Sequence, residues 1–296
     1  MSTENYVSFL EAMGHRVTQA AGAWWYDVGP FSYLSFPFNR ALDTAVVMTA
    51  RQLCERAWLV RFLCPRGQGR PSWIMICRDR EYDLEGLSAN NRSKVRRGQK
   101  ETTVRPVSAA ELCLMAHGLN ADTAARQGRR VSRGTQAYWN RYYLAAERCQ
   151  GAELWGAFVS NELAAYCVAF HMDNIAHILI LRSSVRHLGL YVNHALLYGY
   201  LRHALRDRRL EAVSFGWEPL QGELTSLTSF KESIGFRREA AGQAIVLQPW
   251  LDRILRSPVR KLIPAAGFRS PGTERLNKAL QTINWVNQQT PMCFQG

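Results

Sequence analysis

The stretch VRHLGLYVNHALLYGYLRHALRDRRLEAVSFG, Val185–Gly216, decides how the chain folds. It follows an apolar run, IAHILILRSS at 175–184, which reads as a strand. The chain leaves that strand through Arg-x-x-Gly, with Arg186 and Gly189 at its ends. Leu190, Leu197, Leu201 and Leu205 then fall on one stripe, which predicts a helix from about Leu188 to Arg206. LEAVSFG at 210–216 returns as a second strand. Two demands could place glycine at the strand-to-helix step. A tight turn is one. The other is a ligand that must approach the backbone where the helix begins.

The flanking sequence settles the sheet type. ELWGAFV at 153–159, LAAYCVAFHM at 163–172 and the run at 175–184 are separated only by Ser160-Asn161-Glu162 and Asp173-Asn174. Three such runs with very short turns predict an antiparallel meander. Strand, helix, strand after a meander makes a mixed α/β sheet. Upstream, SAAELCLMAHGLNADTAARQG at 108–128 has helical spacing, with Ser108 and Glu111 forming a capping box. GTQAYWNRYYLAAERC at 134–149 predicts a second helix, and Ser88 caps a basic one from Ala89 to about Lys100. Arg92, Arg96 and Lys100 share a face of that helix. Residues 1–86 read as short aromatic and β-branched strands with one helix within 40–57. Downstream, a helix from about Leu224 to Ser233 leads into Gly235-Phe236 and a last strand at 243–248. The expected organisation is a β-rich lobe over 1–86, an α/β domain over 87–250 and an appendage over 251–296.

The 296 residues are 47% hydrophobic, enough for a large core. No apolar run approaches the roughly 20 residues of a membrane span, and the first residues do not read as a secretory signal. The seven cysteines are scattered, odd in number and free of C-x-x-C, so neither a zinc site nor a disulfide framework is expected, and a reducing cytoplasm fits best. The net charge of +13 predicts attraction to polyanions such as nucleic acid, an anionic membrane surface or phosphorylated small molecules. No nicotinamide, zinc or P-loop motif offers another enzyme class.

The element order, with Arg186-His187-Leu188-Gly189-Leu190-Tyr191 between meander and helix, resembles the GNAT acyltransferase fold. That family carries Gln/Arg-x-x-Gly-x-Gly/Ala at this place; here tyrosine stands where the last small residue is expected. SLTSFKESIGF at 226–236 resembles the family's closing helix and Gly-Phe. LSANNRSKVRRGQK at 87–100 and Phe230-Lys231 resemble the FemAB-like branch. The resemblance covers about residues 86–248 and implies a mixed, mainly antiparallel sheet flanked by helices. Residues 1–85 would be a reduced counterpart of the first lobe of two-lobed Fem-type proteins.

The resemblance also implies a chemistry. Acetyl-CoA or another acyl-CoA would lie between two splayed strands, with its pyrophosphate at the loop of Arg186, His187, Leu188, Gly189 and Leu190. Free N–H groups and the helix dipole favour an anion there. Glu218, just past the second strand, would be the base or hold a water. The family places a tyrosine acid four residues before the Gly of Gly-Phe; that position is Lys231, and Tyr191 is a substitute acid. Arg126, Arg129, Tyr138 and Trp139 would hold a small-molecule or peptide acceptor. No metal is expected. A Fem-like transferase using charged tRNA, and a GNAT-like binding module without catalysis, are the alternative readings.

Overall fold

Runs bounded by glycine and proline form strands, and leucine-striped runs form helices. The computed structural model describes residues 2–126, 135–220, 225–256 and 274–295. The chain begins with α1 (Glu4–Ala12), β1 (Val17–Ala20), β2 (Ala23–Gly29), β3 (Ser32–Phe36), α2 (Thr44–Met48), α3 (Arg51–Arg56), β4 (Leu59–Cys64) and β5 (Arg70–Cys77). It continues with α4 (Ala89–Glu101), β6 (Thr103–Pro106), α5 (Ala109–Met115), α6 (His117–Arg126), α7 (Thr135–Arg148), β7 (Ala152–Val159), β8 (Glu162–Met172) and β9 (Ile175–Ser183). It closes with α8 (Val192–Ala204), β10 (Ala212–Trp217), α9 (Thr225–Ser233), β11 (Arg237–Leu247), α10 (Pro249–Arg256) and α11 (Glu274–Gln288).

Local chemistry sets many of these boundaries. The Ser88 hydroxyl accepts from Asn91 N–H at the start of α4, and the Ser108–Glu111 capping box opens α5. Ser160 and Asn161 both take positive φ, 46° and 69°, the conformation of a two-residue hairpin turn.

The chain folds into two units, each built from separated segments. The first comprises Met1–Met13, Met75–Gly216 and Thr225–Arg237; the second comprises Gly14–Ile74, Trp217–Leu224 and Arg238–Gly296. In the first, the strand order is β10-β9-β8-β7-β6. The meander pairs antiparallel, with Cys167 opposite Leu181 and Trp155 opposite Cys167. β10 joins β9 in parallel. One face packs on α1 and α7, where Phe170 meets Phe9 at 4.5 Å and Tyr6 at 5.0 Å. The other carries α8, with Trp155 against Tyr200. α4 lies along α8. A Cβ on Gly98 would sit 2.8 Å from the Tyr191 carbonyl oxygen and 3.1 Å from Ala195 Cβ.

In the second unit the order is β1-β2-β3-β4-β11, antiparallel except for β3 with β4. Trp25, Tyr33, Phe62 and Val246 pack with Val47 of α2 and Leu53 of α3. On the opposite face Ile245 and Leu247 pack with Trp285 and Val286 of α11. Gln289 fastens the chain after α11 to β11, donating to the Ile245 carbonyl and accepting from its N–H.

The mixed, mainly antiparallel sheet flanked by helices is as expected. Three local readings are corrected. Residues 4–12 form a helix, because Tyr6, Phe9 and Leu10 fall at helical spacing and are all buried. The expected helix within 40–57 is two, α2 and α3, with Ala50 extended between them. The helix after Arg-x-x-Gly starts at Val192 rather than Leu188. Residues 185–190 form a 3₁₀ turn, and Tyr191 takes the left-handed conformation (φ 56°, ψ 33°) that separates it from α8.

Candidate functional site

The site of the first unit begins where two strands part. β9 and β10 pair only over Ile175–His177 and Ala212–Ser214. β9 continues to Ser183 and β10 to Trp217, so their further residues lie outside this ladder. Such a gap exposes strand-edge groups that seek hydrogen bonds. Lys231, from α9, lies at that point. Its Nζ donates to the carbonyl of Phe215, the first β10 residue past the ladder, at 2.7 Å. It also stands 4.4 Å from the Phe215 ring centroid. Lys231 is only 7% exposed, and burial pulls its pKa down to about 8.

Phe230, the neighbour of Lys231, meets the His194 ring edge-on at 5.1 Å, and His194 meets the Tyr191 ring at 5.5 Å. Arg97 of α4 lies over the Tyr191 ring, 5.0 Å from its centroid. Burial and the nearby Lys94 push His194 down to about 4, so its imidazole is neutral at physiological pH. Lys231, Phe230, His194, Tyr191 and Arg97 thus form one chain of contacts around the start of α8. Lys94, Arg97 and His194 escaped sequence reading. The signal lay in Gly98: a glycine inside a basic helix marks the ridge that meets its neighbour.

The loop residues have partners of their own. Arg186 donates to Glu162 at 3.2 Å, and the His187 Nε2 is 3.8 Å from the same carboxylate. Gly189 is exposed, with nothing within 4 Å of a Cβ built there. Leu188 accepts from Tyr191 N–H, and Leu190 ends the 3₁₀ turn. Arg92 donates to the Leu87 carbonyl at 2.6 Å, just ahead of its own helix, whereas Arg96 and Lys100 are exposed.

Of the acceptor residues, Tyr138 and Trp139 adjoin each other on α7, and Trp139 lies under Arg182 of β9. Arg126 is held by Ser183, bonding both its carbonyl and its hydroxyl, and Asn193 donates to that hydroxyl at 3.1 Å. Arg129 lies outside the described residues. Glu218 belongs to the second unit. Its carboxylate stands 4.0 Å from Arg70, and its carbonyl accepts from Arg61 and Gln243. Burial lowers Arg61 to about 10, which still leaves it charged at neutral pH. Among the described residues no group of His, Cys, Asp or Glu is arranged to hold a metal, and no helix is long and apolar enough to cross a membrane.

A depressed lysine pKa has a measurable consequence. Below about pH 8 the native chain carries a desolvated ammonium. From about 8 to the ordinary 10.5 the unfolded chain binds a proton that the native chain does not, so this group's contribution to stability rises with pH across that window. Lys231→Met should therefore stabilise the protein at pH 7, by roughly 2 kcal/mol once the lost hydrogen bond is subtracted. The gain should fade as pH approaches 10.5. Urea titrations at pH 7 and pH 10 check this; a destabilised variant at pH 7 would show that the ammonium is well solvated.

Solved structures share this fold. FemX covers 93% of its own length and 85% of this chain, at TM-score 0.58 and 14% identity. L-PGS from Bacillus licheniformis covers 91% and 82%, at 0.52 and 14%. The C-terminal DUF2156 domain of an Agrobacterium fabrum protein covers 88% and 83%, at 0.51 and 13%. No family model and no curated protein sequence matches the chain. The shared feature is the fold: FemX and L-PGS have the mixed, mainly antiparallel sheet flanked by helices that was expected of this chain.

Proposed function

We propose that this protein is an acyltransferase, moving an acyl group from a thioester or ester on a polyanionic carrier to an amine or hydroxyl of a small-molecule or peptide acceptor. The observation that carries the reading is the buried Lys231 ammonium where β9 and β10 part. The acceptor's nitrogen or oxygen attacks the donor carbonyl carbon, and that carbonyl oxygen becomes negative. The carbonyl re-forms as the carrier's sulfur or oxygen departs with the proton that the nucleophile loses. A cation that meets the developing charge lowers the barrier, most strongly in a site with little water. The catalytic domain of this reading is residues 87–250.

Two carriers compete. An acyl-CoA is what Arg186–Gly189 implies by resemblance. A charged tRNA is favoured by charge placement, since Arg186 spends its charge on Glu162 while Lys94 and Arg97 stand beside the start of α8. A melting scan with acetyl-CoA tests the first. If CoA is the carrier, the thioester raises the midpoint, and Gly189→Asp abolishes the rise by setting a carboxylate against the pyrophosphate. The open space at Gly189 leaves the apo midpoint unchanged. No shift in the wild type removes CoA and leaves tRNA. Transfer from acyl-CoA that survives ribonuclease removes tRNA.

A further inference from the structure

We propose that the second unit docks on anionic lipid surfaces through an aromatic patch of Phe31, Trp58, Trp250 and Ile254. These side chains are 43%, 45%, 44% and 54% exposed. The rings touch one another: Phe31 stacks on Trp58 at 4.3 Å, and Trp58 meets Trp250 edge-on at 5.2 Å. Three large aromatic side chains joined through Trp58 at the surface are not scattered exposure; a contiguous patch of this kind marks an interaction site.

The patch is rigidly presented. Phe31 is held at the β2–β3 turn with φ 53°, and its carbonyl accepts from Trp58 N–H at 2.8 Å. Gln248 N–H donates to the Trp58 carbonyl, and the Gln248 side chain donates to the carbonyls of Cys54 and Ala57. That bonding ties the end of α3 to the start of α10. On α10, Leu251 and Leu255 turn inward onto the cluster of Ile245 and Trp285, and the buried Asp252 holds Arg256 at 2.8 Å. Trp250 and Ile254, four residues apart, share the outward face.

Charge selects the partner. Arg51, Arg56 and Arg253 are exposed on the elements that carry the patch. The exposed acid among them is Glu55, bound to Arg51 at 2.7 Å. Tryptophan and phenylalanine favour the headgroup boundary of a bilayer, and arginine favours its phosphates. A second copy of the chain fits poorly, because two-fold pairing presents the same cationic rim to itself. Docking of this kind is separate from the transfer reaction and is measured without any activity.

The experiment is co-sedimentation with vesicles of equimolar phosphatidylglycerol and phosphatidylcholine, against vesicles of phosphatidylcholine alone. The wild type should sediment with the first and weaken as salt rises. Trp250→Ala and Trp58→Ala should each reduce partitioning roughly tenfold. Arg56→Gln and Arg253→Gln should each reduce it about fivefold, on the anionic vesicles alone. Circular dichroism confirms that each variant folds, and Trp250→Glu, on an exposed helix face, serves if Trp58→Ala does not. The proposal is overturned if the wild type stays in the supernatant with both vesicles, or if folded variants sediment like the wild type. It is equally overturned if light scattering shows a dimer that the same substitutions dissociate.

Discussion

Lys231→Met lowers turnover by roughly 10²–10³, the scale of losing one group that stabilises an oxyanion. Donor affinity changes little, because the ammonium gains its interaction only as charge develops on the reacting carbonyl. Lys231→Arg restores part of the rate, since the charge returns on a planar group of different reach. Lys231 is buried and fastened to the Phe215 carbonyl, so methionine fills the same volume without the charge. Turnover and donor binding on the three proteins separate the readings. Full turnover in Lys231→Met would leave the residue without a chemical role, and the family pattern would not extend to it. Loss of donor affinity at unchanged turnover would make Lys231 a phosphate anchor.

Gly98→Val destabilises the protein by about 3 kcal/mol, the upper range for overpacking a closed interface. The built Cβ already lies 2.8 Å from backbone, the Tyr191 carbonyl oxygen, which cannot rotate away. That carbonyl accepts from His194 and Ala195 N–H in the first turn of α8, so moving it loosens the start of the helix. Gly98→Ala should also destabilise, against the roughly 1 kcal/mol that alanine gains over glycine in a helix. Gly189→Ala, with open space around it, should stay within about 0.5 kcal/mol of wild type. Urea titration compares the three. A stabilised Gly98→Ala would mean that α4 and α8 pack more loosely than this.

Much of this was legible because the relevant forces are local. The meander followed from runs of apolar residues between very short turns, and Ser160-Asn161 takes the positive φ values of such a turn. The capping box at Ser108 and Glu111 was readable for the same reason. What escaped depended on neighbours distant in sequence. Leu188 through Leu190 satisfy a helical pattern, yet Tyr191 turns left-handed where α4 approaches through Gly98. Arg186 looked free until Glu162, 24 residues earlier, came within 3.2 Å. Arg92 and Arg96 seemed equivalent on one face, but only the three-dimensional course of residues 85–87 gives Arg92 carbonyls to donate to. The family pattern pointed to the position of Lys231. Its burial, and hence its lowered pKa, could not be read from the lysine itself.

In the proposed acyl transfer, a protonated Lys231 stabilises the transition state. The most direct measurement is the ratio of single-turnover rates, wild type over Lys231→Met, from pH 6 to 10 with one acceptor. Taking the ratio removes the ionisation of the acceptor, which both proteins share. The ratio should hold at roughly 10²–10³ at low pH and fall toward one as pH rises through about 8, where the buried ammonium loses its proton. A ratio near one at every pH, or one that grows as pH rises through 8, would contradict it.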